Sequence, residues 1–565
     1  MTTSWEDAAT KKREAVLALI PAEWRVDNLP SVKQQVDVTE YINQYLSEEE
    51  LVITESDAEQ IVEKTTSGSW TAEKVTRAFC HRAALAHQLL HCIHEIFFEA
   101  AIADAKKLDA YFAEHKQPVG ALHGLPVSLK DQFHVKDVET TMGYVGWIDT
   151  FEGKKGTGKE KVFESEMVRE LRASGAVLYC KSSVPHTLMS GETVNNIIGW
   201  TQNPKNRNLS SGGSSGGEGA LIGIRGSPVG LGTDIGGSIR IPAGFNGLYG
   251  LRPSSGRLPY EGMANSMDGQ NTVLSVVGPI GPTASSLRLV TKALLSQQPW
   301  LHDPLVHEIP WRSEHEHSIQ KLLQTISSPV PAEQRLTFGI LATDGVVTPT
   351  TPVRRALGLV TRALEAAGHS TIPWTPPSHE TLNNTSFKTW LFDGGADVRA
   401  AFALSGEPMS AQVSLYSAPH PEYTATSIAA TNVALRGLRK EHLDYWLSTA
   451  SQTSTGRPVD AVISPLAPWP AAREQRYKYY GYTTWVNALD YTAVAFPVTR
   501  VDAAVDTKTP KEGFEALNAQ DREVQDDYDP DIYHGAHVGL QVVGRRLQEE
   551  KMLAIAEYIG KLIGA

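Results

Sequence analysis

Short apolar runs alternate along the chain with longer segments in which apolar residues recur at helical spacing. At the amino terminus, residues 6–19 have a helical pattern, and Pro21 and Pro30 stop it from continuing. The first 55 residues, 1–55, are therefore predicted to form a helical arm that precedes the main body of the chain.

Beyond the arm, the pattern predicts strands separated by helices. Short apolar runs of strand length lie at residues 125–130, 176–179, 461–464, 493–496 and 539–543. Helices are predicted from about residue 69 to 90, with Ser69 or Thr71 as the cap, at 166–173, and from about 548 to 562. This alternation favours an α/β fold whose sheet is covered by helices on both faces.

The domain organisation is simple. No repeat with a period of roughly 20–50 residues is visible, and no shift in composition marks a linker. We therefore expect one large domain, residues 56–565, after the arm. Residues 300–335, with several prolines and histidines, are expected to be a surface excursion.

Composition and charge exclude several classes of protein. The net charge of -12 argues against a nucleic-acid partner. No apolar stretch approaches the roughly 18 residues of a membrane span, and the amino terminus lacks a signal-peptide core. A cytoplasmic protein without a membrane partner is expected. The three cysteines, Cys80, Cys92 and Cys180, offer neither a disulfide framework nor a paired metal motif.

Glycine is concentrated in one segment, since 15 of the 46 glycines lie within residues 211–256. A flexible linker is disfavoured because core-like residues such as Leu221 and Ile239 interrupt the segment. A phosphate loop is disfavoured because no Gly-x-x-x-x-Gly-Lys-Ser/Thr pattern is present. Converging backbone N–H groups offer a third interpretation, in which residues 235–238 form an oxyanion hole beside the hydroxyl of Ser238.

A nucleophilic serine needs a base. Histidine is the usual partner, but no Gly-x-Ser-x-Gly elbow surrounds Ser238. The alternative is a lysine kept neutral by desolvation, and Lys130 ends the apolar run 125–129. Asp131 would point to the opposite face of such a strand. A lysine at a strand end is more often a solvated surface residue, so the residues alone leave both interpretations open.

Two motifs together resemble the amidase signature family. The segments 212–219, 232–240 and 250–253 are similar to its serine-rich and glycine-rich signature, and residues 124–131 are similar to its lysine motif. The resemblance spans about residues 56–565. Residues 4–6 and 20–24 of the arm, and residues 192–199 and 528–536, most resemble the fungal acetamidases, or general amidases, within the family. The resemblance implies the amidase signature fold, with a large mixed central β-sheet covered by helices on both faces.

The resemblance assigns roles to individual residues. Ser238 is the nucleophile, Ser214, after a cis peptide bond from Gly213, relays protons, and Lys130 is the base. Backbone N–H groups of the oxyanion hole come from Ile235, Gly236, Gly237 and Ser238. The resemblance also implies supporting roles for Ser215, Asp234 and Arg240, of which the last two are expected to hold the loop. Substrate-binding residues are expected at Leu188, Met189 and Ser190.

Other candidate side chains are interpreted as structural. Tyr144, Trp147 and Trp200 are expected to be core residues in preference to pocket residues. His87, His91 and His94 recur at helical spacing with Glu95 beside the last, but they match no zinc motif. We therefore expect no metal site, and the resemblance implies no cofactor.

The expected function is hydrolysis of small carboxylic amides with release of ammonia, through a Ser-Ser-Lys relay and an acyl-enzyme. Within the same family, a carbamate (urethane) or ester hydrolase and a glutamine-dependent amidotransferase subunit remain alternatives. A non-catalytic scaffold is disfavoured because Lys130, Ser214 and Ser238 are all present. The expected partner is a small-molecule amide, and a homo-oligomer is compatible with the sequence.

Overall fold

The computed structural model describes residues 4–324, 326, 330–509 and 514–564. Its strands are Ile93–Ile96 (β1), Pro126–Lys130 (β2), Val177–Ser182 (β3), Val194–Asn195 (β4), Gly199–Trp200 (β5), Gly230–Asp234 (β6), Tyr249–Arg252 (β7), Val276–Gly281 (β8), Thr337–Ile340 (β9), Ser370–Pro373 (β10), Ala461–Pro465 (β11), Ala493–Arg500 (β12) and His537–Val543 (β13).

The α-helices separate most of these strands. They are Trp5–Ala18 (α1), Glu48–Thr54 (α2), Ala58–Thr66 (α3), Ala72–Leu90 (α4), Phe98–His115 (α5), Glu166–Ala173 (α6), Gly216–Gly223 (α7), Arg240–Phe245 (α8), Ala284–Ser296 (α9), Ser313–Gln324 (α10), Thr351–Ala366 (α11), His379–Thr389 (α12), Ala396–Ala403 (α13), Ala425–Ser448 (α14), Gly481–Leu489 (α15), Ala519–Asp527 (α16), Pro530–Tyr533 (α17) and Glu549–Ile563 (α18).

In the described part of the chain, eleven strands form one sheet in the order β1-β3-β2-β6-β8-β7-β12-β13-β11-β9-β10. The sheet is mixed, because β2 runs parallel to β3 and β6 whereas β6 and β8 are antiparallel. Every residue of β2, β3, β6 and β8 is buried. Strands buried on both faces need a covering layer on each side. The predicted α/β fold with a large mixed sheet is confirmed.

Most predicted elements agree with the structure to within a few residues. Thr71, and not Ser69, caps α4 by accepting a hydrogen bond from the backbone N–H of Lys74. The stretch 300–335 differs from the prediction, and four of its residues (325 and 327–329) lie outside the described ones. It contains α10, which packs against α18 and buries Ile319. Apolar residues at helical spacing thus make part of this stretch a core layer and not a surface excursion.

The arm lies against the body of the molecule, and its first three residues lie outside the described ones. Helix α1 begins after Ser4, whose side chain accepts a hydrogen bond from the N–H of Asp7. Val16 and Ile20 are buried in a cluster with residues of α4 and β3. Lys12 forms ion pairs of 2.6 Å with both Glu95 and Glu139. Apolar burial and charge pairing therefore both attach the arm.

Candidate active site

Two neighbouring parallel strands position the centre of the candidate site. Lys130 is the last residue of β2, and Asp234 is the last residue of β6, so both strands end at the same edge of the sheet. Ser214 lies just before α7, and Ser238 lies between β6 and α8. The peptide bond between Gly213 and Ser214 is cis. The three residues proposed from the resemblance are therefore brought to one region.

Lys130 is fully buried, and its hydrogen-bond partners among the described residues are two hydroxyl groups. Its Nζ lies 2.8 Å from Ser214 Oγ and 2.6 Å from Thr233 Oγ1. Burial lowers the pKa of Lys130 to about 7, and the carboxylates of Asp234 and Glu218 only partly oppose this. A lysine with this pKa is substantially neutral near pH 7, whereas an ordinary lysine is almost wholly charged.

Glu218 is a buried carboxyl group close to the lysine. Ser128, on the same face of β2 as Lys130, donates a hydrogen bond of 2.5 Å to Glu218 Oε2. Burial raises the pKa of Glu218 to about 7. Gly230 leaves the necessary space, because a Cβ there would lie 1.8 Å from Glu218 Oε2. Sequence reasoning did not assign this contact.

Asp131 is separated from Lys130 by the alternation of the strand. Its carboxylate pairs with Lys181 at 2.9 Å and accepts a hydrogen bond from the N–H of Met142 at 2.9 Å. Both charged side chains are fully buried. The Asp131 carboxylate is therefore engaged by Lys181 and Met142 and does not pair with Lys130.

An ion pair between Asp234 and Arg240 lies beside the loop 235–238. The guanidinium of Arg240 binds the Asp234 carboxylate through Nε at 3.0 Å and Nη2 at 3.1 Å. Burial alone would raise the pKa of Asp234, but Arg240 outweighs it and the pKa lies well below its usual range. Thr483 Oγ1 donates to the carbonyl of Gly236 at 2.6 Å, and Asn487 donates to Asp234 at 2.8 Å. Both α15 residues were missed by sequence reasoning.

One expected oxyanion donor requires correction. The N–H of Gly237 donates to Asp234 Oδ1 at 2.8 Å, so it is already used inside the loop. Among the described residues, the N–H groups of Ile235, Gly236 and Ser238 donate to no acceptor. Gly237 instead has a φ of 129°, which a residue with a side chain rarely adopts. Within the described residues, the loop therefore offers three N–H groups without an acceptor, not the four expected.

Ser215 joins the two serine segments to β6. Its N–H donates to the carbonyl of Ser238 at 3.2 Å. Its hydroxyl donates to the Thr233 carbonyl at 3.4 Å and accepts from the Thr233 N–H at 3.3 Å. Within the described residues, no hydrogen bond joins the hydroxyls of Ser214 and Ser238. Such bonds often tighten only when substrate binds.

A cavity of ≈ 100 Å³ opens at Ser238. Leu188, Met189 and Ser190, the residues predicted to bind substrate, line this cavity together with parts of residues 213 and 235–241. The rest of its wall was not anticipated and consists of Phe387, Trp390, Gln412, Leu415, Tyr416 and Tyr480. No charged side chain of the described residues lines this cavity, so it favours an uncharged ligand.

The aromatic residues and histidines considered as other candidates do not line the cavity at Ser238. A larger cavity, of ≈ 980 Å³, lies against the arm and includes Trp200, but it contains none of Lys130, Ser214 and Ser238. Tyr144 and Trp147 are buried, as expected, in a core cluster that also contains Leu188 and Tyr416 of the cavity wall. Helix α4 ends at Leu90, before the histidine series is complete. The imidazole of His94 forms a hydrogen bond with Thr141 Oγ1 at 2.7 Å, and the carboxylate of Glu95 forms an ion pair with Lys12.

The family model described as Amidase matches residues 74–553 of the chain. The chain therefore belongs to the Amidase family and is an amidase, a hydrolase of carbon–nitrogen bonds in amides. It is 46% identical over 565 residues to the acetamidase of Emericella nidulans, covering 100% of this chain and 99% of that relative. The acetamidase of Aspergillus oryzae is 45% identical over 564 residues, with the same coverage. These relatives confirm the predicted resemblance.

Solved structures support the fold assignment. A fatty acid amide hydrolase superposes with a TM-score of 0.90 at 32% identity, covering 100% of this chain and 96% of that chain. Another solved amidase, at 23% identity, has a TM-score of 0.67 and shares the fold. Among the helices that the structure describes, none is long and apolar enough to cross a membrane.

Proposed function

We propose that the chain hydrolyses small, uncharged carboxylic amides to a carboxylic acid and ammonia, with an acyl-enzyme on Ser238 as intermediate. The observation that carries this proposal is the fully buried Lys130, whose pKa is lowered to about 7 and whose Nζ lies 2.8 Å from Ser214. A neutral amine in contact with a hydroxyl can accept a proton through it.

The proposed reaction begins when Ser238 Oγ attacks the amide carbon and its proton passes through Ser214 to Lys130. The developing oxyanion accepts hydrogen bonds from the free N–H groups of Ile235, Gly236 and Ser238. The carbon–nitrogen bond then breaks, and Lys130 returns the proton through Ser214 to the nitrogen, which leaves as ammonia. Water attacks the acyl ester by the same proton path, and the acid departs as Ser238 regains its proton.

The supporting roles follow from the same contacts. Asp234 and Arg240 fix the loop that carries the oxyanion donors, and Ser215 ties Ser238 to β6. These residues act by positioning the loop.

We also infer that residues 1–55 form an arm on a catalytic domain of residues 56–565.

The size and polarity of the cavity support a small substrate. Its ≈ 100 Å³ is less than the roughly 150 Å³ that encloses a benzene ring in an engineered protein cavity. The absence of charged lining side chains among the described residues disfavours glutamine, whose charged amino and carboxylate groups would have no partner there. Similarity to two acetamidases supports the same substrate class.

The test is a panel of substrates assayed with the purified chain. Acetamide and propionamide are expected to have higher kcat/KM values than benzamide, glutamine, ethyl carbamate or long-chain lipid amides. A higher kcat/KM for the carbamate or for glutamine would replace this substrate class by one of the alternatives.

The serine variants test the chemistry of the proposal. Ser238→Ala is expected to reduce kcat by at least about 10⁴-fold, whereas Ser266→Ala, in a neighbouring cavity, is expected to remain active. A fluorophosphonate reagent is expected to label the wild type and not Ser238→Ala. Activity of Ser238→Ala within tenfold of the wild type would show that another residue is the nucleophile.

A further inference from the structure

A second cavity lies next to the one at Ser238. Its volume is ≈ 570 Å³, and it is lined mainly by residues 255–276 and 303–307. The two cavities share only two lining residues within the described chain, Ile235 and Trp390. Ile235 belongs to the loop that carries the oxyanion donors. Trp390 is therefore the shared lining residue that lies outside this loop.

Trp390 is held firmly against the catalytic loop. It directly follows α12, is only 5% exposed, and packs edge-on against Phe387 with ring centres 4.9 Å apart. A Cβ on Gly236 would lie 3.4 Å from Trp390 Cη2, an ordinary van der Waals distance, so the ring lies directly beside the loop. Within the described residues, the indole N–H has no acceptor. Replacing the ring therefore loses packing but breaks no hydrogen bond.

The two cavities differ in their chemistry. The first has no charged lining side chain among the described residues, whereas the second includes Asp268 and Arg546 as well as the apolar Met263 and Leu274. The second cavity is large enough for several additional carbon atoms and has apolar surface to receive them. Trp390 and Ile235 are the described residues that line both cavities, so the indole ring forms part of the wall between them.

We propose that Trp390 is the specificity-determining residue that limits the acyl group to a short one. With the indole in place, the acyl group of an amide bound at Ser238 meets the Trp390 ring at the wall of the ≈ 100 Å³ cavity. Without it, the acyl group extends past residue 390 into the second cavity. This inference rests on the proposed function, because it takes Ser238 as the site of acyl attachment.

The experiment compares Trp390→Ala with the wild type on primary amides of increasing acyl size, from acetamide through hexanamide to phenylacetamide. The ratio of kcat/KM for hexanamide or phenylacetamide to that for acetamide is expected to rise by about tenfold or more, a gain typical of matching a pocket to added carbon atoms. Trp390→Phe keeps part of the wall, so its ratio is expected to lie between the two. It also serves as the test protein if Trp390→Ala does not fold.

Phe387→Ala provides the matched control. Phe387 lines the first cavity and contacts Trp390, but it does not line the second cavity. Its truncation enlarges the first cavity without joining it to the second. We expect Phe387→Ala to improve only the next larger acyl groups, with no gain for hexanamide or phenylacetamide.

The outcomes separate this inference from the proposed function. If the wild type hydrolyses acetamide through Ser238 but neither Trp390 variant changes the acyl-size ratio, the inference about Trp390 is wrong and the proposed function stands. The inference is also overturned if Phe387→Ala extends the acyl range as far as Trp390→Ala. If the wild type does not hydrolyse small amides, or if Ser238→Ala remains active, the proposed function itself is wrong.

Discussion

The Nζ of Lys130 lies 2.8 Å from the Oγ of Ser214, and solvent reaches almost none of either side chain. The lysine arrives from β2 and the serine from the loop before α7, 84 positions apart in the chain. Asp131 pairs with Lys181 and not with Lys130, and burial of Lys130 outweighs the opposing effect of the Asp234 and Glu218 carboxylates on its pKa. The depressed pKa of Lys130 is thus a property of its surroundings.

The first prediction concerns pH. The proposed base must be neutral, so kcat/KM is expected to rise about tenfold per unit below the Lys130 pKa of about 7 and to level off above it. Lys130→Met is expected to lose this limb and most of the rate. Lys130→Arg is also expected to be inactive, because arginine does not deprotonate at these pH values. A variant without Lys130 that keeps the wild-type pH profile would indicate a histidine base.

The second prediction concerns cooperation between Ser214 and Lys130. Ser214→Ala and Lys130→Ala are each expected to reduce kcat by about 10²–10⁴-fold, the range for loss of acid–base catalysis. Because both residues act in one proton path, the double variant is expected to be within about tenfold of the slower single variant. The measurement is a double-mutant cycle on kcat. Fully multiplicative losses would mean that the two residues act independently.

The third prediction concerns the ion pair beneath the catalytic loop. Arg240→Met leaves the Asp234 carboxylate buried without its main cation, which is expected to cost about 3–5 kcal/mol of unfolding free energy. The pKa of Asp234 is lowered by Arg240, so this stabilisation is present at neutral pH and is lost only as pH falls through a strongly acidic range. Urea unfolding at pH 7 measures the difference.

Arg240→Lys refines the same test. Lysine retains the charge but cannot reproduce the two guanidinium contacts, so partial recovery of stability with reduced kcat is expected. If both Arg240 variants keep wild-type stability and kcat, this ion pair does not hold the loop.

The fourth prediction concerns the arm. Lys12 is the cation shared by Glu95 and Glu139, and burial raises the pKa of Glu95 to about 7. Lys12→Met removes the partner of two largely buried carboxyl groups, so we expect it to cost about 3–5 kcal/mol of unfolding free energy. Lys11→Met, at the exposed neighbouring position, is the matched control and is expected to leave stability unchanged. Equal melting temperatures for the two variants would contradict this role.

The features that could be predicted from the sequence are those that depend on residues close together in the chain. The apolar run before Lys130 indicated a strand, and the structure has β2 ending at that residue. The family resemblance pointed to Ser214 and Ser238, which the fold brings to the same region. For the N-cap of α4 the sequence offers Ser69 and Thr71. The structure shows that Thr71 forms the capping hydrogen bond.

Contacts between distant segments were not predictable from local patterns. Thr233 contacts Lys130 across 103 positions, and Thr483 contacts Gly236 across 247. No motif marks Phe387 or Trp390, whose pocket role depends on where α12 packs. The Gly237 N–H was assigned to the oxyanion hole because its residue belongs to the signature. Only the loop conformation shows that Asp234 accepts this hydrogen bond.

The residues proposed to carry the proton and most of the unanticipated cavity wall come from separate parts of the chain. The proposed proton path is built from β2, β6 and the segments beside α7 and α8, whereas most of the unanticipated wall lies between residues 387 and 416. A change in that wall alters which molecule fits without moving Lys130 or Ser214. One reaction mechanism can therefore be inherited intact while substrate range diverges, and a library restricted to this wall would search for new substrates without risking the chemistry.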